Sequence, residues 1–567
     1  MNALTKAKLL IHILRWRTTW SKRNINLEPP KKLKNNPKFI TARKFAESIP
    51  DGSVCFSSGM AGNTRCSIFF WAIREVNAET GHPRDLTWVT VGAQGGRGRV
   101  PGTMEEMNAP GLVTHYIGGH VETAKAILKN VDKGLCDIQV LPQGQQTFQL
   151  EAQARGEEWV TAHTGVGTFL DPRVGTGPNI LGNATDKLVE VDGDRLRYRM
   201  PRIQVAVFTA PAADEEGNIY LYNACMFTEA RESVYAARAN GGKVYVSVAQ
   251  IVPKNEKDIF IPADKIDGII YNHTNEQTGS VPQYRFWDMF TLNSKTDTDE
   301  GIRRINFINS VLKLTPVRGQ ADDAVARLAA SVFTRLGHPG VFANIGVGMP
   351  EEVSRLLYEG GLADDITFST EVGVVGGIPA RGIFFGAAVN PREMVSSADV
   401  FRRYYAGLEI AMFGQLEVDS EGNVNVSRRG EGAFGYVGPG GLPDIAEAAR
   451  SILFIGSWMA RARFSIVDGK LKIDKAGAPK FVEKVKEITF SGKEALKAGK
   501  TVYYITNVGV FKLTERGMLL DQVMPGIDIK KDIIDVTPMK VILPEGPVPV
   551  VTDDIVTGRG FRLSWGK

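Results

Sequence analysis

At 567 residues, with 43% hydrophobic and 23% charged side chains, the chain has enough apolar content for two cores of roughly 200 to 280 residues each, and it is not a disordered or low-complexity protein. The net charge of +5 is concentrated at the start, where residues 1–35 hold nine Lys/Arg and one acid, so the nearly neutral remainder argues against a nucleic-acid-binding face. Four cysteines without CxxC spacing, seven histidines without HExxH and no apolar run near ~18 residues argue against a zinc site, a disulfide framework and a transmembrane helix, and place the chain in a reducing cytoplasm.

Taken in chain order, residues 3–20 carry Leu4, Leu10, Ile11, Ile13, Leu14 and Trp20 at helical spacing, interleaved with Lys6, Lys8, Arg15 and Arg17. The Pro29–Pro30 pair ends any helix there. This extension, residues 1–39, is expected to be a helix docked on the body or on another subunit. Contact with a membrane surface is one alternative; a removable presequence, which would put the protein in an organelle matrix, is the other.

A first domain is expected over 40–292. Val54 to Gly62 reads as a strand running into a glycine turn, followed by a helix over Ser67–Val76. Asp85 to Gly92 is a second strand and turn, Asp137 to Gly144 a third, and Asp214 to Tyr220 contains a Gly-Asn turn between strands. The polar stretch 293–301 reads as a linker to a second domain over 302–567, which opens with helices over Ile302–Leu314 and Ala321–Arg335. From Ile505 onward the tail reads as strands joined by Gly and Pro turns.

The second domain echoes the first. Val341 to Pro350 repeats Val54 to Gly62, with a helix over Glu351–Tyr358, and Asp365 to Val372 repeats Asp85 to Gly92. Glu409 to Leu416 repeats Asp137 to Gly144, which aligns Gln143 with Gln415, and Asp419 to Asn425 repeats Asp214 to Tyr220. Four echoes in one order point to an internal duplication. The repeating unit of strand, glycine turn, helix and strand predicts an α/β fold of two tandem, pseudo-repeated open domains with mainly parallel sheets.

The duplication isolates one side chain. Where the first copy has Val91, the second has Glu371. A carboxylate at the end of a buried strand is costly unless paired or used, and the strand-end crevice of an open α/β sheet is where ligands bind. Glu371 could serve as general base, nucleophile or metal ligand, the last weakened by the lack of His or Asp nearby. A glutamate that merely caps a turn is the structural alternative. Ile345 to Pro350 would aim the N–H groups of Val347 and Gly348 from a strand-to-helix turn at an oxyanion or phosphate. Phe434 to Asp444, with Gly440 and Gly441 before a short helix at Ile445–Arg450, could add a further N–H to the same site. Either turn could equally be an ordinary tight turn. His120 and His163 read as structural.

These motifs resemble the class I coenzyme A-transferases in their fused single-chain form, the propionate, acetate and acetoacetate types. Ser57 to Gly62, Ile117 to His120, Leu141 to Gly144 and Thr164 to Arg173 match the family's first part. Asn344 to Pro350, Thr370 to Gly373, Val418 to Asn425, Gly438 to Asp444 and Met524 to Asp528 match its second. The resemblance implies that Glu371 is a nucleophile forming an acyl-glutamyl anhydride and then a glutamyl-CoA thioester. It further implies that Val347, Gly348, Gly440 and Gly441 bind CoA and stabilise an oxyanion, and that Gln143, Gly59 and Val372 line the acyl pocket. Where the family often has Glu-Asn-Gly or Glu-Ser-Gly, this chain has Glu371-Val-Gly.

The expected activity is therefore transfer of CoA from an acyl-CoA donor to a short- or medium-chain carboxylic acid, with no metal and no cofactor, CoA being a substrate. A homo-oligomer, a tetramer in this family, is expected. An acyl-CoA hydrolase on the same scaffold is the enzymatic alternative, and a non-catalytic ligand sensor the alternative from another class.

Overall fold

The computed structural model describes residues 1–19, 23–60, 63–95, 100–275, 287–313 and 317–566. Trp20 of the N-terminal pattern, Ala61 and Gly62 of the first glycine turn, and Leu314 at the end of an expected helix lie outside these residues.

Two sheets form the body. The first has nine strands; along its main path these are Gly268–Tyr271, Lys243–Ile251, Val205–Ala213, Val54–Ser57, Leu86–Gly92, Val113–His120, Asp137–Val140 and Asn179–Leu181. The second has ten, with Ile366–Ser369, Val341–Ile345, Ile410–Phe413, Ser451–Ile455 and Thr501–Ile505 side by side and parallel. These strands are short runs of Val, Ile, Phe and Ala buried on both faces, as parallel strands covered by helices must be. Separate apolar clusters line the two faces of each sheet. The α/β architecture with mostly parallel sheets is as expected.

The duplication is present in three dimensions, with one correction. Val54–Ser57 lies between Leu86–Gly92 and Val205–Ala213, and Val341–Ile345 lies between Ile366–Ser369 and Ile410–Phe413, all parallel. The counterpart of Ile410–Phe413 is thus Val205–Ala213. Asp137–Val140, the counterpart expected from sequence, lies beyond Leu86–Gly92 and Val113–His120. In the corrected register Ala210 stands opposite Gln415, so Gln143 and Gln415 are not equivalent.

That register continues unbroken into the Gly-Asn turns. Asp214 Oδ1 accepts from the N–H groups of Glu216, Gly217 and Asn218, and Asp419 Oδ1 accepts from those of Glu421 and Asn423. In both turns the Asn side chain donates to the second Asp oxygen.

Three helical expectations shift by a turn or less, to Gln320–Leu336, Met349–Glu359 and Leu442–Ala448. The expected linker is shorter than 293–301, because Thr298 already opens the helix Thr298–Leu312, with the Asp297 side chain accepting from Glu300 N–H at 3.1 Å. The C-terminal strands Gly509–Thr514 and Gly517–Val523 form as expected; the helical turns at Ile529–Ile534 and Asp553–Thr557 were not foreseen.

The N-terminal helix Ala3–Thr19 docks on the body through Leu9, Ile13 and Trp16, which pack with Met289, Phe290, Phe384 and Val389. Leu4, Ile11 and Leu14, each 64% exposed, form a second stripe facing away. The sequence pattern had merged the two stripes: of its named positions within the described residues, only Ile13 is in the docked face. No helix among the described residues is long and apolar enough to cross a membrane.

Candidate active site

The turn after Ile366–Ser369 carries Glu371 and is anchored on three sides. Thr370 Oγ1 donates to Gly386 O at 2.9 Å, and the N–H groups of Thr370 and Gly373 close the turn onto Val374 O and Thr370 O. Gly373 has φ +92°, and a Cβ there would lie 2.0 Å from Val395 O, so only glycine fits. Val372 is fully buried in the apolar cluster that holds Val374 and Phe384. With Val372 pulled inward, Glu371 faces a cavity of about 2180 Å³ between the two halves.

Among the described residues no cation pairs with Glu371. Burial pushes its pKa up to about 7, and only its own backbone N–H favours the charged form. A carboxylate that titrates near neutrality and is not consumed by a salt bridge is a stronger nucleophile than a solvated one.

The strand Val341–Ile345 delivers the neighbouring turn. Gly346 N–H is tied to Met412 O at 2.9 Å, and Val347 and Gly348 then line the cavity. Gly348 takes φ +97° and ψ −118°, a conformation open only to glycine, and Pro350 stands in the first turn of the helix Met349–Glu359 behind it. Among the described residues nothing accepts from the Val347 or Gly348 N–H. Both therefore stand free at the positive end of an eleven-residue helix.

The third motif is set by contacts across the two halves. Gly440 N–H donates to Gly119 O at 2.9 Å, Gln143 N–H donates to Gly440 O at 3.1 Å, and Val121 N–H donates to Val437 O at 2.8 Å. Gly440 is thus a structural tie here, its N–H already spent on the first half. Gly441 N–H has no acceptor among the described residues and remains available at the cavity wall. Gly438 is glycine for a reason: at φ +91°, its Cβ would sit 2.5 Å from Gly119 O.

Of the three residues expected in the acyl pocket, Gln143 lines the cavity and is 2% exposed, and its Oε1 has no hydrogen-bond partner among the described residues. Val372 does not, since its side chain is an anchor turned the other way. Gly59 lies behind the wall, its N–H donating to Glu229 Oε1 at 3.0 Å, and its neighbour Met60 lines the cavity instead.

Several residues escaped the sequence reading. Glu229 is buried against Gly59 and is pushed up to about 7 by burial. Asp444 accepts from Gly144 N–H at 2.7 Å, Gln145 Nε2 at 2.8 Å and Tyr405 Oη at 3.0 Å, joining the halves beneath the cavity. Asp444 closes a motif the sequence shows, but nothing local marks either side chain as a tie between elements: Gly59 is 170 residues from Glu229, and Gly144 is 300 from Asp444. On the cavity wall Lys129 stacks over the half-exposed Phe434 ring at 5.6 Å; Lys125 lines the same cavity, and Arg429 there is paired with Glu122. Among the described residues no group of three or more His, Cys, Asp or Glu is placed to hold a metal ion.

A desolvated carboxylate with no cation partner among the described residues, on a cavity wall that also presents N–H groups without acceptors, is equipped for covalent acyl transfer. No protein-family model matches the chain. It is 32% identical over 510 residues to a caffeate CoA-transferase of Acetobacterium woodii, covering 88% of this chain and 93% of that protein. It is 31% identical over 522 residues to the acetate CoA-transferase YdiF of Escherichia coli K12, covering 89% and 93%. The crystal structure of YdiF from E. coli O157:H7 as a thioester complex with CoA superposes with a TM-score of 0.81 at 26% identity, covering 95% of this chain and all of that one. The chain belongs to the CoA-transferase family and is an enzyme of that class.

Proposed function

We propose that the enzyme moves CoA from an acyl-CoA to a short- or medium-chain carboxylate through two covalent states of Glu371. The carboxylate attacks the thioester carbonyl, the C–S bond breaks, and an acyl-glutamyl anhydride and CoA thiolate result. The thiolate then attacks the glutamyl carbonyl, forming an enzyme–CoA thioester and expelling the donor acid as its carboxylate. An acceptor carboxylate runs the two steps in reverse. Charge balances at each stage with no net proton, and one thioester replaces another, so the reaction needs little driving force.

The observation that carries this reading is the placement of Glu371, desolvated and with no cation partner among the described residues, on the cavity that also holds the free Val347, Gly348 and Gly441 N–H groups. These amides face the oxyanion that builds up on each attacked carbonyl. The CoA thioester in the similar YdiF structure and the carboxylate substrates named for the two relatives support the same chemistry. Lys125, Lys129 and Phe434 on the cavity wall suit the phosphates and base at the far end of CoA. A homo-oligomer belongs to this reading, and the exposed Leu4, Ile11 and Leu14 stripe offers it a surface.

The test is acetyl-CoA against a panel of small carboxylates. Acid-dependent appearance of new acyl-CoA supports transfer; release of free CoA at the same rate without any acceptor would make the enzyme a hydrolase. The pH profile follows from the raised pKa: kcat/KM for acetyl-CoA should be flat above about 7 and fall about tenfold per pH unit below it. A profile flat down to pH 5 would place the ionisation elsewhere.

A further inference from the structure

The same cavity holds a second buried group with no protein partner. Gln415 is 6% exposed and lines the cavity wall, yet neither its Nε2 nor its Oε1 has a hydrogen-bond partner among the described residues. A carboxamide taken from water without partners is destabilising, and such groups persist where a ligand completes them. The surroundings hold it in place. Its backbone carbonyl accepts from Lys480 Nζ at 2.6 Å, and Gly456 opposite makes room: a Cβ there would lie 3.0 Å from Gln415 Cγ. The duplicated position in the first half is Ala210, so the amide, like Glu371, occurs in one copy and not the other.

Resting on the CoA-transfer reading, we infer that Gln415 binds a secondary amide of the pantetheine arm of CoA, donating from Nε2 to its carbonyl and accepting at Oε1 from its N–H. The register supports the distance. Ser369 pairs with Asn344, and Ile345 with Met412, so Gln415 lies just past a strand end two strands from the Glu371 turn, roughly 10 Å along the sheet edge. The second amide of the arm is seven bonds from the sulfur, roughly 8 to 9 Å when extended, which matches. A primary carboxamide is the complement of a secondary amide, one donor and one acceptor on each. Phe413, Leu416 and Val426 on the same wall suit the methylenes between.

The test compares wild type, Gln415→Met (similar in volume, without either hydrogen bond) and Gln415→Glu (no donor) in full-length protein, by calorimetric binding of CoA and of 3′-phospho-ADP, which lacks the arm. Both variants should bind CoA roughly tenfold more weakly, and KM for acetyl-CoA should rise by the same factor. Affinity for 3′-phospho-ADP and KM for the acceptor acid should stay within twofold of wild type. Unchanged CoA affinity overturns the inference. So does an equal loss for 3′-phospho-ADP, which would mean a distorted site, or a change confined to acceptor KM, which would make Gln415 an acyl contact. The CoA-transfer reading is judged separately, by whether wild type forms a covalent CoA adduct.

Discussion

Glu371→Gln is expected to lower CoA transfer by about four orders of magnitude while leaving the fold intact. The amide keeps the shape of the side chain but cannot open the thioester. No salt bridge is lost, because Glu371 makes none among the described residues. Stability should move the other way, with a defined sign. The folded-state pKa of Glu371, about 7, lies above its unfolded value of 4.5, so the folded protein holds a proton that the unfolded chain releases between those values. The native carboxylate therefore costs nothing at pH 4.5 and progressively more as pH rises to 7, by a few kcal/mol at most. The Gln variant should match wild type in thermal stability near pH 4.5 and exceed it at pH 8. Thermal melts at the two pH values and turnover at pH 8 check both halves. Substantial transferase activity in a pure preparation, or a variant less stable at pH 8, would contradict the assignment.

The second large effect is expected at Asp444. Its carboxylate accepts three hydrogen bonds, two of them from residues on the other half of the molecule. Burial pushes its pKa up to about 6 in spite of those donors from Gln145, Gly144 and Tyr405. Asp444→Leu would strand three buried donors and press a branched chain against Gly144, where a single added Cβ would already lie 2.6 Å from Asp444 Cγ. The loss should be about 3 to 5 kcal/mol. Because Gly441 caps the helix that bears Asp444, kcat should fall as well. Denaturant unfolding and kcat for Asp444→Leu measure the two effects; a variant of wild-type stability would mean that other contacts hold the halves together.

How much of this was legible in the sequence differs by element. Glu371 stood out because a duplicated strand gave it an apolar counterpart, Val91, and Val91 is indeed buried in a core cluster. The Val347–Gly348 turn is legible as a strand-to-helix turn that could equally be an ordinary tight one, and the φ of +97° at Gly348 accounts for the glycine. What failed was what only the tertiary structure decides. Val372 was placed in the acyl pocket by adjacency to Glu371, but consecutive side chains on that turn point opposite ways. The resemblance implies a free N–H at Gly440, but its partner, Gly119, belongs to the other half and has no sequence signal. Gln143 was matched to Gln415 on a short apolar run, and the order of strands in the sheet corrected it. Asp444 lies in a legible motif but its role is not legible there, and Glu229 has no local signal, since what makes both special is burial against distant residues.

The most direct measurement is mass spectrometry of the full-length enzyme incubated with acetyl-CoA and no acceptor. The account predicts an adduct of the mass of CoA on the peptide that contains Glu371. It should be absent in Glu371→Gln, cleaved by hydroxylamine or borohydride, and discharged by an added acceptor acid. No adduct under conditions where transfer is fast, or an adduct on another residue, would contradict it.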